Sequence, residues 1–183
     1  MYHIEGSIRF IADVLFNKPT AAVLASTESG QRGKKKTIEQ KIEQTAEMVH
    51  RNGKSIILSR DSFKQSLLAG SKLAGLKMGK QSLYPMLNAL VFPEDLDFGK
   101  EEPDYIHTHH GRIPPRTGAL VIIRRPAFKA GQEIKFKLLV AANTIEEDQI
   151  KIAIETAGLL VGVGSWRPKY GRFQLSSWKV LDK

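Results

Sequence analysis

The chain predicts a two-layer α+β sandwich with an insertion, and three observations carry this. Its 183 residues, 42% of them hydrophobic, suffice for one domain with a proper core. Apolar alternation of period two marks strands over 7–16, 119–123 and 134–140. Apolar stripes of helical period fall between and after them, over 37–50, 63–73 and 150–161. The order is strand, helix, strand, insertion, hairpin, helix and last strand. That is βαββαβ, the ferredoxin-like, RRM-like sandwich, in which helices on one face of a sheet bury such stripes.

The first strand places Ile8, Phe10, Ala12, Val14 and Phe16 on one face and ends at Asn17, Lys18 and Pro19. A short apolar run from Ala21 to Ala25 suits a further strand, and a polar loop over 26–36 ends in Arg32, Gly33 and three lysines. That loop is either a solvated segment or a phosphate-gripping arm. Thr37 and Gln40 fit a capping box for a helix reaching His50. Its core face is Ile38, Ile42, Thr45 and Val49, and Asn52-Gly53 stops it. A short buried strand, Ser55 to Leu58, leads to a second helix capped by Ser59 or Asp61, with Leu67, Leu68 and Leu73 for the core. Gly70, Gly75 and Gly79 weaken that helix before Met78.

A helical turn after Pro85 precedes an apolar strand or packed loop. Glu94 to Pro103, with five acids and one lysine, has the character of a surface insertion. Gly118 to Ala141 suits a β-hairpin turning at Lys129-Ala130-Gly131-Gln132. On it, Arg124, Arg125, Lys129, Lys135 and Lys137 stand against Glu133 alone, and Lys135 and Lys137 alternate with Ile134, Phe136 and Leu138, so one sheet face is apolar and the other basic. Thr144, with Glu147 three residues on, caps the last helix. Ile150, Ile154, Ala157 and Val161 form its stripe, and Phe173 and Leu175 begin the last strand.

The net charge of +9 attracts polyanions, and nucleic acid is the commonest of these inside a cell. No run of eighteen apolar residues and no amphipathic basic helix points to a membrane. The start of the chain lacks a signal-peptide pattern, so a cytoplasmic location is expected. With zero cysteines there is no disulfide, thiolate metal site or cysteine nucleophile. Nothing in the sequence indicates a cofactor.

Gly158 to Phe173 concentrates binding chemistry. Gly162, Gly164 and Gly171 free the backbone so that amides can turn outward to a ligand. Arg167, Lys169 and Arg172 add charge with no acid among them, and Trp166 and Tyr170 offer faces on which a base stacks. This combination suits an unpaired, phosphate-bearing strand, although an ordinary glycine-bearing loop uses the same residues. A second candidate is the segment Asp104 to Thr117. In an extended chain His107 and His109 point the same way, and two such imidazoles can bind a metal, with Asp104 as a third ligand, or share acid–base work. A polar loop whose imidazoles meet solvent or phosphate is the plainer alternative. Pro114-Pro115 argues against a central strand there.

A helix followed by Gly162-Val163-Gly164, a basic-aromatic segment and Gly171-Arg172-Phe173 resembles the C-terminal glycine-rich loop of the RAMP superfamily, the RNA-binding proteins of CRISPR systems. The strand at 7–16 and the segment Ser59 to Gly70 are similar to the first strand and the phosphate-side strand-to-helix turn of their backbone subunits. The resemblance implies a single RNA-binding domain over 1–183 with an inserted finger at about 94–117. It implies single-stranded RNA, other subunits of a CRISPR-type complex and further copies of the chain on the nucleic acid as partners. It points to Ser62, Lys64 and Lys72, and to Gly162, Gly164, Arg167, Lys169 and Arg172.

The leading expectation is a non-catalytic RNA-binding subunit. Processing nucleases of the superfamily carry a histidine near the first strand or helix, where this chain has His3 and His50. A metal-independent endoribonuclease using His107, His109 and His110 as acid and base is the second expectation. The third, suited to a chain short for a backbone subunit, is a virus-encoded protein acting against such a complex, or an interaction protein whose charge serves protein contacts.

Overall fold

The computed structural model describes residues 1–21, 24–25, 37–112, 120–141 and 144–181. The chain opens with strands β1 (Tyr2–Phe10) and β2 (Val14–Leu15), helix α1 (Ile38–Ala46) and strands β3 (His50–Asn52) and β4 (Ser55–Leu58). Helix α2 (Arg60–Leu73), the two-residue strands β5 (Lys77–Met78) and β6 (Gln81–Ser82), helix α3 (Tyr84–Leu90) and strands β7 (Val91–Pro93) and β8 (Leu96–Asp97) follow. Strands β9 (Tyr105–Arg112), β10 (Leu120–Phe128) and β11 (Glu133–Val140) then precede helix α4 (Glu147–Thr156), a π-helical turn (Ala157–Val161) and strand β12 (Phe173–Leu181).

The central antiparallel sheet has the order β12-β1-β11-β7. With α2 between β1 and β7, and α4 between β11 and β12, this is the ferredoxin-like βαββαβ arrangement. Its core comes from strict alternation. On β1, Tyr2, Ile4, Ile8 and Phe10 are buried, and on β11 Ile134, Phe136, Leu138 and Val140 are. The helices cover this face with Phe63, Leu67 and Leu68 of α2 and Ile150, Ala153 and Ile154 of α4.

Two smaller antiparallel sheets, β2-β10-β9 and β3-β4-β8, are joined to that core by aromatic rings. Phe98 stacks on Phe10 at 5.8 Å and on Phe128 at 4.4 Å, and Phe16 meets Phe98 and Phe128 edge-on. No helix among the described residues is long and apolar enough to cross a membrane.

The expected fold class holds, but several elements move. The first strand runs from Tyr2 to Phe10 instead of over 7–16, because the same alternating phase extends back to Tyr2. At Ile11 the chain leaves the sheet, and Val14 and Leu15 pair with β10. Helix α1 keeps its capping box at Thr37 and Gln40 but ends at Ala46. Of its expected core face, Thr45 and Val49 are buried but Ile38 at 66% and Ile42 at 42% are exposed, and α2 is the first helix of the sandwich. Asn52-Gly53 does not stop that helix; Gly53 lies in the tight turn joining β3 and β4.

Ser59 caps α2, accepting from the Ser62 amide, while Leu73 at its far end is exposed. The segment 94–103 is less superficial than its charge suggests, because Leu96 and Phe98 are buried and β8 pairs with β4. The expected hairpin over 118–141 is also corrected. Strand β10 pairs with β9 and β2, whereas β11 pairs with β1 and β7. The turn at Lys129–Gln132 redirects the chain between sheets because carboxylates clamp it. Asp104 accepts from the Lys129 amide and the Gln132 side chain, and Asp13 accepts from the Ala130 amide.

Helix α4 starts from Glu146, with no side-chain cap from Thr144, and its first turn carries Glu147 and Asp148 at the positive end of the helix dipole. Ala21, Leu24 and Ala25 are helical, not extended, and residues 22–23 lie outside the described residues. The basic loop at 32–36 and Pro114-Pro115 also lie outside them.

Candidate nucleic-acid interface

Strand β9 places His107 and His109 on one face, as the period of two requires. Their neighbours across the ladder are Arg125 and Ile123 of β10. The loop between the π-helical turn and β12 leans its aromatics against this face. Trp166 meets His109 edge-on at 5.1 Å and His107 at 5.9 Å. Tyr170 lies 5.3 Å from the His107 ring, with its hydroxyl 3.3 Å from Nε2. The Arg125 guanidinium sits over the Trp166 ring at 5.7 Å. Burial pushes the Arg125 pKa down, and its buried Nε has no partner among the described residues. Between these groups is an open pocket of about 320 Å³, lined by His109, Gly111, Ile123, Trp166, Lys169 and Tyr170.

The loop is tied down by backbone hydrogen bonds, which is not the expected use of its amides. The Gly162, Val163, Ser165 and Gly171 amides donate to Ala157, Gly171, Leu15 and Asp13 carbonyls at 2.7–2.9 Å. The expectation that this backbone turns its amides outward is therefore corrected: these four close the loop on itself and on the segment after β1. Gly162, Gly164 and Gly171 have φ of +73°, +76° and +74°, which disfavours any side chain. Close packing adds to this, since a Cβ on Gly164 would overlap the Leu15 carbonyl oxygen. Trp166 itself has φ +56°, an uncommon conformation for a bulky residue, and it is the tip at which the loop turns over β9.

Asp13 ties the surroundings together. Its carboxylate accepts from Tyr105 Oη at 2.5 Å and from the Ala130 amide, while its carbonyl accepts from the Gly171 amide. Desolvation by burial, together with this bonding to Asp13, pushes the Tyr105 pKa well up.

A second cavity, of about 280 Å³, involves the preceding loop residues Gly164 and Ser165. Phe16 and Leu58 supply its apolar lining, and Asn17, Lys18, His50 and Ser62 its polar lining. Burial lowers the His50 pKa, and Lys18 lowers it further against the opposing pull of Asp95 and Asp61. Both effects favour the neutral imidazole.

The structure thus brings Trp166, Lys169, Tyr170 and Arg125 together with His107 and His109, and Ser62 with Gly164. Others stand elsewhere. His110 and Arg124 are on the opposite face of their strands, with Arg124 beside Lys41 and Thr45 of α1. Lys64 Nζ donates to the Asn88 carbonyl at 2.6 Å, and Lys72 lies 3.9 Å over the Tyr84 ring, so both turn toward α3. Lys135 and Lys137 project from the outer sheet face, which is mixed in charge instead of basic. Lys137 pairs with Glu5 at 2.8 Å, an exposed contact that raises the lysine pKa and lowers that of the carboxylate.

Arg167 reaches back toward the Gly162 carbonyl at 3.5 Å, and Arg172 is exposed at the foot of the loop. Asp104 faces the 129–132 turn and Lys100, and no group of three His, Cys, Asp or Glu residues among the described residues is placed to hold a metal. Sequence reasoning missed Asn17, Lys18 and Ser165, and weighed His50 only as a nuclease histidine. Only the fold brings residues so far apart in sequence into one cavity.

No family model matches the chain, and no curated protein matches it. Its fold is similar to that of a chain in the cryo-EM structure of the Type III-B Cmr-beta bound to cognate target RNA. The TM-score is 0.55 and the identity 12%, over 99% of this chain. The chain spans about 61% of the length of that neighbour.

Proposed function

We propose that the chain is a non-catalytic, single-stranded RNA-binding subunit of a CRISPR-type ribonucleoprotein, built as one RAMP-like domain. The observation that carries this reading is the open pocket beside Trp166, with Tyr170 and His109 around it and Lys169 at its edge. Flat faces for an unstacked base and a cation for the neighbouring phosphate meet there. The net charge of +9 supports the reading, as does the fold shared with a chain from an RNA-bound Cmr assembly. Lys169 and Arg172, exposed along the loop, are the phosphate contacts, and the paired strands β9 and β10 form the far wall of the strand's path.

The test is RNA affinity across a salt series. Log affinity should fall linearly with log salt, and Lys169→Ala and Arg172→Ala should each reduce the slope by about 0.7, one phosphate contact on a single strand. A wild-type affinity independent of salt would contradict phosphate binding.

A further inference from the structure

The second cavity carries a finer distinction, which rests on the RNA-binding reading. We propose that Ser62, Ser165 and Asn17 read the ribose 2′-hydroxyl in the cavity between the loop and the start of α2, and so select RNA over DNA.

The cavity adjoins a helix N-terminus, yet that terminus is not open to an anion. The Arg60 amide already donates to Asp95 Oδ1 at 2.7 Å, the Ser62 amide to Ser59 Oγ, and the Phe63 amide to the Ser59 carbonyl. A carboxylate thus occupies the position a phosphate would take. What the cavity offers is different chemistry. The Ser62 and Ser165 hydroxyls and the Asn17 side-chain amide line it, and none is hydrogen-bonded to any other described residue. Hydroxyl and amide groups each both donate and accept, which matches a sugar hydroxyl that does the same. Phe16 and Leu58 supply an apolar floor for the carbon face of the ring. Lys18 lines it beside Asn17 and supplies a cation for a flanking phosphate.

The position along the loop fits this division of labour. Ser165 lines the ribose cavity and Trp166, the next residue, lines the base pocket. Successive Cα atoms are about 3.8 Å apart, well within the span of one nucleotide. Loop residues 164–170 thus separate a pocket for a base from a pocket for a sugar.

Fluorescence anisotropy with a labelled ten-residue oligoribonucleotide and the deoxy oligonucleotide of matching sequence tests this. One net hydrogen bond is worth about 1 kcal/mol, roughly fivefold, so two give a preference of about 25-fold. The wild-type protein is expected to prefer the ribo strand by about 25-fold or more. The double variant Asn17→Ala/Ser62→Ala is expected to bring the preference to about fivefold or less, the share left to Ser165, and leave deoxy affinity unchanged, which also reports an intact fold. Equal wild-type affinity for both strands overturns the ribose assignment and leaves base stacking standing. Equal weakening of both strands by the double variant also overturns it, because the cavity is then a general contact. Binding of neither strand overturns the RNA-binding reading as well.

Discussion

Gly171→Ala is expected to destabilise the protein by about 3–5 kcal/mol, seen as a fall in the urea midpoint without a change in slope. Two effects add. At φ +74° an alanine has left-handed backbone strain of about 1–2 kcal/mol. The new Cβ would also overlap the Val163 carbonyl oxygen and lie 2.8 Å from its carbon, so the loop must open. Opening it breaks the Val163–Gly171 and Gly171–Asp13 backbone bonds, each worth about 1 kcal/mol net. The internal control is Gly53→Ala. Gly53 has φ +59° but nothing within 4 Å of its added Cβ, so only the backbone strain applies. Equal losses for the two variants would mean that the glycine-rich loop is not packed against the core as described.

Trp166→Ala is expected to weaken single-stranded RNA binding by about 1–3 kcal/mol, roughly 5- to 150-fold. The ring lines the base pocket and holds the His107 and His109 edges and the Arg125 guanidinium in place. Trp166→Phe retains a flat face and should recover most of the loss, which separates stacking from a general disturbance of the loop. Duplex affinity should change little, since paired bases present no free face. An alanine variant that binds single strands as well as wild type does would move the site elsewhere.

Much of the sandwich is legible in local pattern. The alternation over Glu133–Val140, the stripe through Ile150, Ile154 and Ala157, and the cap at Ser59 all specify themselves within a few residues. The pairing of strands does not. Strands β10 and β11 flank a short turn and look like a hairpin, but Asp13 and Asp104, distant in sequence, redirect the chain at Lys129. Helix α1 carries a helical stripe and a capping box, yet tertiary structure leaves Ile38 and Ile42 outside.

At the candidate site the contrast is similar. Trp166, Lys169 and Tyr170 are neighbours in sequence, and His107 and His109 share a strand face, so each half is visible alone. Their meeting in one pocket requires the sheet topology. The glycines mislead about amides because the same φ that turns an amide outward also permits close packing, and here the Leu15, Val163 and Asp13 carbonyls take up the space and the bonds.

The most direct measurement of the central claim is the fluorescence of Trp166 during RNA binding. The protein has two tryptophans, and Trp178, which packs on Phe136, can be removed as Trp178→Phe. Single-stranded RNA titrated into that variant should quench the remaining Trp166 emission to saturation, at the same midpoint as binding followed by a label on the RNA. Saturable RNA binding with Trp166 emission unchanged would contradict the account, because no base would then be stacking on the ring.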